Sequence, residues 1–181
     1  MSPSGEPATR AAAELPPVTA LNALPVASFV QTMAPLFEGA PGFLHRLASA
    51  RPFATYADLW PRALAIARTM PEAEQLELIN AHPRLGAPPA SVSALSFREQ
   101  GYDREAAAAE ATRVAAELER LNAVYERRFG FGFCVFVNGR SRQVLLQVIE
   151  AALEADRETE IRRALGDVIA IAADRARTLA R

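Results

Sequence analysis

The stretch IRRALGDVIAIAADRARTL, residues 161–179, carries the clearest information about the fold. Its apolar residues recur in alternating steps of four and three, the spacing that places side chains on one face of an α-helix. A helix with one apolar face must bury that face against other elements, so the stretch predicts a helical core. A cation also lies on this face, and a buried guanidinium needs an anionic partner. The residues of the face are Ile161, Leu165, Val168, Ala172, Arg175 and Leu179.

The rest of the chain has the same helical periodicity and predicts an all-α fold. A long helix is expected from about Ser96 to Arg128, closed by Gly130 and with Gly101 as its point of interruption. The first of the remaining predicted helices runs from about Val26 to about Gly39. The others cover residues 41–50, 56–70, 71–81, 141–155 and 157–180.

One stretch differs from the helical ones in its composition. FGFCVFVNG, residues 131–139, is aromatic and β-branched, which predicts an extended segment near residues 131–138 that crosses the helices. Residues 21–181 are predicted to form a single-domain bundle of about seven to nine helices. Residues 1–20 have no apolar run and are rich in Pro and Ala, so they are predicted to be a disordered tail.

The charge balance and the cysteine count limit the function. Twenty basic and 21 acidic residues give a net charge of −1, so nothing favours binding to nucleic acid or to an anionic membrane. The lone Cys134 cannot form an internal disulfide, which favours the reducing cytoplasm. No phosphate-binding glycine loop, Cys-x-x-Cys pair or metal-binding His motif occurs, so chemistry without a metal or a cofactor is expected.

Three positions are candidates for that chemistry. His82, in LINAHPRLG (78–86), ends a predicted helix before Pro83; it is either an acid-base group or a ring bonded to a nearby carbonyl. In SFREQG (96–101), Ser96 and Glu99 have the spacing of a capping box, although the same helix end would suit a polar ligand. Arg175 either binds an anionic ligand or pairs with a structural carboxylate.

Three pieces of sequence resemble the OHCU decarboxylase family: HPRLG (82–86), SFREQG (96–101) and LNAVYERRFGFGF (121–133). The resemblance extends over about residues 21–180, and the HPRLG form looks like the bacterial branch. It implies an all-helical, cofactor-free and commonly dimeric enzyme. Its expected reaction converts 2-oxo-4-hydroxy-4-carboxy-5-ureidoimidazoline (OHCU) to (S)-allantoin, the last step of urate degradation. A non-catalytic helical binding module and a lyase or hydrolase for a related cyclic ureide are the alternatives.

The resemblance also implies roles for individual residues. The family's catalytic groups fall on His82, Glu99 and Arg175, with no metal site. Gly132 and the pair Ala152 and Leu153 depart from the family pattern, which often has proline at the first position and commonly has Arg-Leu at the second. The substrate-binding positions fall on Pro83, Ser96, Gln100, Phe133, Cys134, Val135, Phe136 and Val137.

Overall fold

The computed structural model describes residues 15–87, 92–100 and 108–179. These residues form nine α-helices and one 3-10 helix, with no β-strand among them, which confirms the predicted fold class. In chain order the elements are α1 (Val18–Ala23), α2 (Val26–Met33), the 3-10 helix (Ala34–Leu36), α3 (Pro41–Ser49), α4 (Tyr56–Thr69), α5 (Glu72–Asn80), α6 (Ala94–Glu99), α7 (Ala108–Phe129), α8 (Arg142–Ala152) and α9 (Arg157–Leu179).

Helix α9 is the central element of the bundle. It packs against α4, α5 and the 3-10 helix, while α7 packs against α8 and α2 against α3. Leu165, Val168 and Ala172 on its apolar face are completely buried, and a fully buried Leu or Val side chain stabilises the fold by about 1.5–3 kcal/mol. Arg175 lies on the same face and is only 2% exposed, as the helical spacing predicted.

The start of α6 differs from the predicted capping box. Ser93, not Ser96, is the N-cap, and its hydroxyl accepts a hydrogen bond of 3.2 Å from the Ser96 N–H. The helix therefore begins one turn earlier than expected, because the loop before it supplies an equally good capping serine. Ser96 lies inside the helix, where its side chain is free for other contacts.

Two further boundaries differ from the sequence-based expectations. The predicted long helix is represented by α6, which ends at Glu99, and by α7, while Gly101 lies outside the described residues. At the start of the chain, α1 begins at Val18 and buries Leu21, and the Tyr56 hydroxyl donates a hydrogen bond of 2.7 Å to the Pro16 carbonyl. Residues 15–20 thus belong to the helical body, and the tail prediction for residues 1–14 lies outside the described part.

Residues 132–137 form neither helix nor strand and run between α7 and α8. Arg163 of α9 holds this segment: its NH1 group donates to the Cys134 carbonyl at 3.0 Å, and its guanidinium lies 4.9 Å from the centre of the Phe133 ring. Arg163 lies off the apolar face of α9, yet it is not a solvated charge, since its side chain is only 26% exposed and also binds the buried Glu160. The non-helical segment, rather than water, covers that flank of α9.

Candidate functional site

A cavity of about 170 Å³ lies where residues 132–137, α6, α9 and the loop after α5 meet. This volume is below the roughly 300–1,000 Å³ of pockets that hold drug-sized ligands, so it suits a smaller molecule. All the residues that the sequence singled out line it: His82, Pro83, Ser96, Glu99, Gln100, Phe133, Cys134, Val135, Phe136, Val137 and Arg175. The other lining residues are Leu85, Arg98, Asn138, Gly139, Ile171 and Asp174.

His82 enters the cavity because the chain leaves the helical path just before Pro83. Helix α5 ends at Asn80 with Ala81 as its C-cap, and the His82 N–H still bonds the Ile79 carbonyl at 3.2 Å. His82 is 9% exposed, and neither ring nitrogen makes a hydrogen bond of ordinary geometry with the described residues, although the Leu78 carbonyl one turn earlier acts on the ring. A buried polar ring without such bonds is uncommon in folded proteins, so these nitrogens are available to a ligand.

The surroundings of His82 keep the ring uncharged. Burial, reinforced by the positive charge of Arg175, lowers the pKa of His82 to about 4, against the opposing effects of the Glu38 carboxylate and the Leu78 carbonyl. At neutral pH the imidazole therefore carries one proton and one free lone pair. Such a ring can accept a proton and can donate a hydrogen bond, but it is not a permanent cation.

Arg175 pairs with two carboxylates inside the protein. Its Nε and NH2 groups donate to the two oxygens of Glu99 at 2.7 and 2.8 Å, and NH2 also lies 2.9 Å from Glu38 Oε1. NH1 donates to the carbonyls of Pro35 and Leu36 at 3.1 and 3.3 Å. NH2 also donates to the Ser96 hydroxyl, so the bonds to Glu99, Ser96 and the two carbonyls use all five N–H donors of the guanidinium, and Glu38 adds an ion pair. Of the two sequence-based interpretations, the geometry favours the structural one, with Arg175 fixing Glu99 in place.

Glu38 is part of this network, although no pattern in the sequence singles it out. Its Oε1 accepts hydrogen bonds of 2.7 Å from the hydroxyls of both Ser93 and Ser96, in addition to its ion pair with Arg175. Burial alone would raise the pKa of Glu38, but Arg175 and the two serines outweigh that effect and hold the pKa below its ordinary value. The sequence offered one weak signal, since Gly39 marked a chain reversal beside it.

Ser96 and Gln100 line the cavity, but much of their bonding capacity is directed at the protein. The Ser96 hydroxyl accepts from Arg175 NH2 at 3.0 Å while it donates to Glu38. The Gln100 amide accepts from the Gly86 N–H at 2.8 Å and donates to the Arg84 carbonyl at 3.2 Å. Both side chains therefore join α6 to neighbouring elements, and Gln100 shapes the loop that follows His82.

The segment from Phe133 to Val137 contributes an apolar wall. Four of its five side chains are buried. Arg163 donates a hydrogen bond to the Cys134 carbonyl, and Arg140 donates to the carbonyls of Phe136 and Val137. Burial raises the pKa of the Cys134 thiol to about 12, so this cysteine stays protonated and is a poor nucleophile. This apolar segment, His82 and Glu99 line the same cavity.

No group of three or more His, Cys, Asp or Glu side chains within the described residues is arranged to hold a metal ion. No helix in the same part of the chain is long and apolar enough to cross a membrane.

The fold and the cavity define a helical protein built around a site for a small molecule. Comparison with known proteins assigns it more closely, because the family model described as OHCU decarboxylase matches residues 22–177. The chain belongs to this family.

Relatives come from several kinds of organism. The uric acid degradation bifunctional protein PucL of Bacillus subtilis (strain 168) is 34% identical over 152 residues, which cover 84% of this chain and 30% of PucL. The 2-oxo-4-hydroxy-4-carboxy-5-ureidoimidazoline decarboxylase of Haloferax volcanii is 29% identical over 163 residues, covering 84% of this chain and 89% of that protein. A mouse protein of the same name is 28% identical over 152 residues, covering 82% and 84% of the two chains. Assignment to the bacterial branch therefore stays a prediction.

Solved structures share the fold. A crystal structure of OHCU decarboxylase in the presence of (S)-allantoin has a TM-score of 0.61 at 23% identity and covers 78% of this chain and 92% of that chain. A crystal structure of (S)-allantoin synthase has a TM-score of 0.67 at 21% identity and covers 91% and 54% of the two chains. This chain spans only about 30% of the two Bacillus bifunctional proteins that it matches.

Proposed function

We propose that this chain decarboxylates OHCU to (S)-allantoin without a metal or a cofactor. The observation that carries the proposal is the buried imidazole of His82, whose nitrogens make no hydrogen bond of ordinary geometry to the described residues, in a cavity that Glu99, held by Arg175, also lines. Membership of the OHCU decarboxylase family supplies the substrate class.

The structure of the substrate determines which bonds must break and form in the site. The bond between C4 and the carboxylate breaks, CO₂ leaves, and its electron pair enters the ring as a C4–C5 double bond while the ring C=N takes up a proton. The resulting enol then gives up its hydroxyl proton and receives one proton at C5, which yields allantoin. The protein must hold the ring, stabilise the developing negative charge and deliver the C5 proton to one face.

His82 is proposed as the acid-base group. A neutral ring accepts the hydroxyl proton of the substrate and returns a proton to carbon, and the low pKa ensures that the ring starts in its basic form at neutral pH. Because neither nitrogen makes a hydrogen bond of ordinary geometry to the described part of the chain, contact with the substrate would help to fix the orientation of the imidazole. Pro83 keeps the chain from continuing the helix and so keeps the ring beside the cavity.

Glu99 is proposed to orient the substrate. Each of its oxygens accepts one bond from Arg175, and a carboxylate oxygen can accept a second bond from a ligand N–H or O–H. Arg175 acts through Glu99 in this scheme and does not bind the substrate carboxylate directly. The backbone N–H groups of Phe133 to Val137 are proposed to bind the ureido and ring oxygens. Ser96 and Gln100 are proposed to hold α6 beside the cavity.

The test is stereospecific turnover. Because OHCU also decays spontaneously to racemic allantoin, circular dichroism should follow the formation of the (S) enantiomer with freshly prepared substrate. A positioned acid-base group contributes about 10²–10⁴-fold in rate, so His82→Asn should lose that much while it remains folded. The matched control is His45→Asn, which changes the other histidine of the chain, an exposed residue of α3.

Each alternative function has its own outcome in this assay. A wild-type protein that gives no enantiomeric excess would remove the decarboxylase proposal and favour the binding module. Turnover of another cyclic ureide in place of OHCU would favour a related lyase or hydrolase. Unchanged turnover in His82→Asn would remove His82 from the mechanism.

A homodimer and a cytoplasmic location are part of the proposal. The family resemblance suggests the dimer, and α8 offers a face for it because Val144 is 42% exposed beside the half-buried Val148. Sedimentation of the whole chain measures its oligomeric state. The single cysteine favours a reducing compartment.

A further inference from the structure

We propose that Glu38 is a positioning residue of the cavity, which docks α6 together with Arg175 so that Ser96, Glu99 and Gln100 face the ligand. The turnover part of its test rests on the proposed function. Glu38 belongs to the turn between the 3-10 helix and α3 and does not itself line the cavity.

Helix α6 buries few of its own side chains. It has six residues, of which Ser96 is buried and Leu95 and Phe97 are half-buried. A helix of this length is unstable on its own, because the cost of nucleation is not recovered over so few residues. Its position therefore depends on contacts with the rest of the protein, and polar contacts are prominent among them.

Those polar contacts converge on Glu38 and Arg175. Glu38 Oε1 accepts hydrogen bonds from the hydroxyls of Ser93, at the N-cap of α6, and of Ser96, one turn later. Arg175 binds Glu99 at the other end of the helix and binds Glu38 as well. One carboxylate and one guanidinium thus fasten both ends of α6 to α9. Hydrogen bonds to charged groups are stronger than bonds between neutral groups, so removing the carboxylate should loosen the helix.

The backbone around Glu38 supports the same conclusion. Glu38, Gly39 and Ala40 have φ angles of 54°, 113° and 48°, three successive residues in a region that side chains other than glycine rarely adopt. Such conformations persist where the surrounding contacts determine them. At Glu38 these contacts are the two serines and Arg175, and they direct the carboxylate toward α6.

The test compares two substitutions at Glu38. Glu38→Asn is the main variant, because asparagine tolerates a positive φ but is too short to reach the serines and Arg175. Glu38→Gln keeps the length and an acceptor oxygen but loses the charge. The control is Glu74→Gln, which removes the same charge from an exposed ion pair with Arg46, outside the cavity.

The expected result separates binding from chemistry. If α6 is docked in only about a tenth of the molecules, the KM of Glu38→Asn rises about tenfold, because substrate binding must draw on that fraction. At saturation the substrate redocks the helix, so kcat changes by less than about threefold. Glu38→Gln should lie between wild type and Glu38→Asn, and Glu74→Gln should match wild type. A purely structural role would lower the yield of folded protein without changing KM.

Amide hydrogen exchange supplies a measurement that does not depend on turnover. Residues 92–100 should exchange at least about tenfold faster in Glu38→Asn than in wild type, because the undocked fraction rises to about nine tenths, while α9 stays protected. Unchanged exchange in this segment, or a KM within twofold of wild type, overturns the proposal for Glu38. If wild type does not convert OHCU, the proposed function fails, and the exchange result still decides the role of Glu38.

Discussion

The buried His82 should make the stability of the folded protein depend on pH in a defined window. The pKa of His82 is about 4 in the folded protein, whereas an unperturbed histidine has a value of 6.5. Since the folded-state pKa is lower, the unfolded chain binds more protons between these two values. Stability is therefore unaffected by His82 well above pH 6.5, falls as the pH drops through 6.5, and levels off below about 4.

The size of the effect follows from the two pKa values. Each unit of difference corresponds to about 1.4 kcal/mol, so the full window is worth about 3 kcal/mol and the part between about pH 7 and about pH 5 is worth about 2 kcal/mol. His82→Asn removes this contribution, because asparagine does not titrate. The free energy of unfolding of the variant should then fall by about 2 kcal/mol less than that of wild type over the same pH change.

The assay is urea denaturation of wild type, His82→Asn and His45→Asn at both pH values, with linear extrapolation to water. Carboxylates that titrate in the same range are common to all three proteins and cancel in the comparison. His45→Asn should behave as wild type, since His45 is exposed. Equal pH dependence in wild type and His82→Asn would show that His82 is protonated in the folded protein near pH 5, and the argument for a neutral catalytic base would fail.

Two further substitutions probe the buried charges. Arg175→Met should lower the free energy of unfolding by about 3–5 kcal/mol, because it leaves the carboxylates of Glu38 and Glu99 without their cation. Adding Glu38→Gln and Glu99→Gln should recover much of that loss, as measured by urea denaturation. Tyr125→Phe should cost about 1.5–3 kcal/mol by the same measurement, because the Tyr125 hydroxyl donates a hydrogen bond of 2.8 Å to the buried Glu160; a loss below about 0.5 kcal/mol would contradict this account.

Local patterns were sufficient for the features of the site that lie on one element. Helical spacing placed Arg175 on a buried face, and the His-Pro step placed His82 at a break in the chain. The partner of Arg175 could not be chosen in this way, because the chain has 21 acidic residues and only tertiary structure brings Glu38 and Glu99 to one guanidinium. The positive φ at position 38 could not be predicted either, because glutamate rarely adopts that conformation.

Arg163 shows a different limit of periodicity. The helical spacing gave its angular position on α9 correctly, off the apolar face. It did not show what covers that position, and the answer is a non-helical segment whose carbonyl at Cys134 needs a donor. A charged residue on the flank of a helix is solvated only where water reaches it, and here Phe133 and Glu160 occupy the space. Sequence patterns define faces, whereas the neighbours of a face depend on the path of the whole chain.

Gly132 illustrates how such a neighbour changes the meaning of a single substitution. A glycine has more backbone freedom than the proline that the family often has at this position. The Gly132 N–H also donates a hydrogen bond of 2.9 Å to Asn80 Oδ1, at the last residue of α5. Proline has no N–H and cannot make this bond. The glycine therefore links the segment of the cavity wall to the helix end that carries His82, and the freedom that it gains at the backbone is offset by a contact between the two sides of the site.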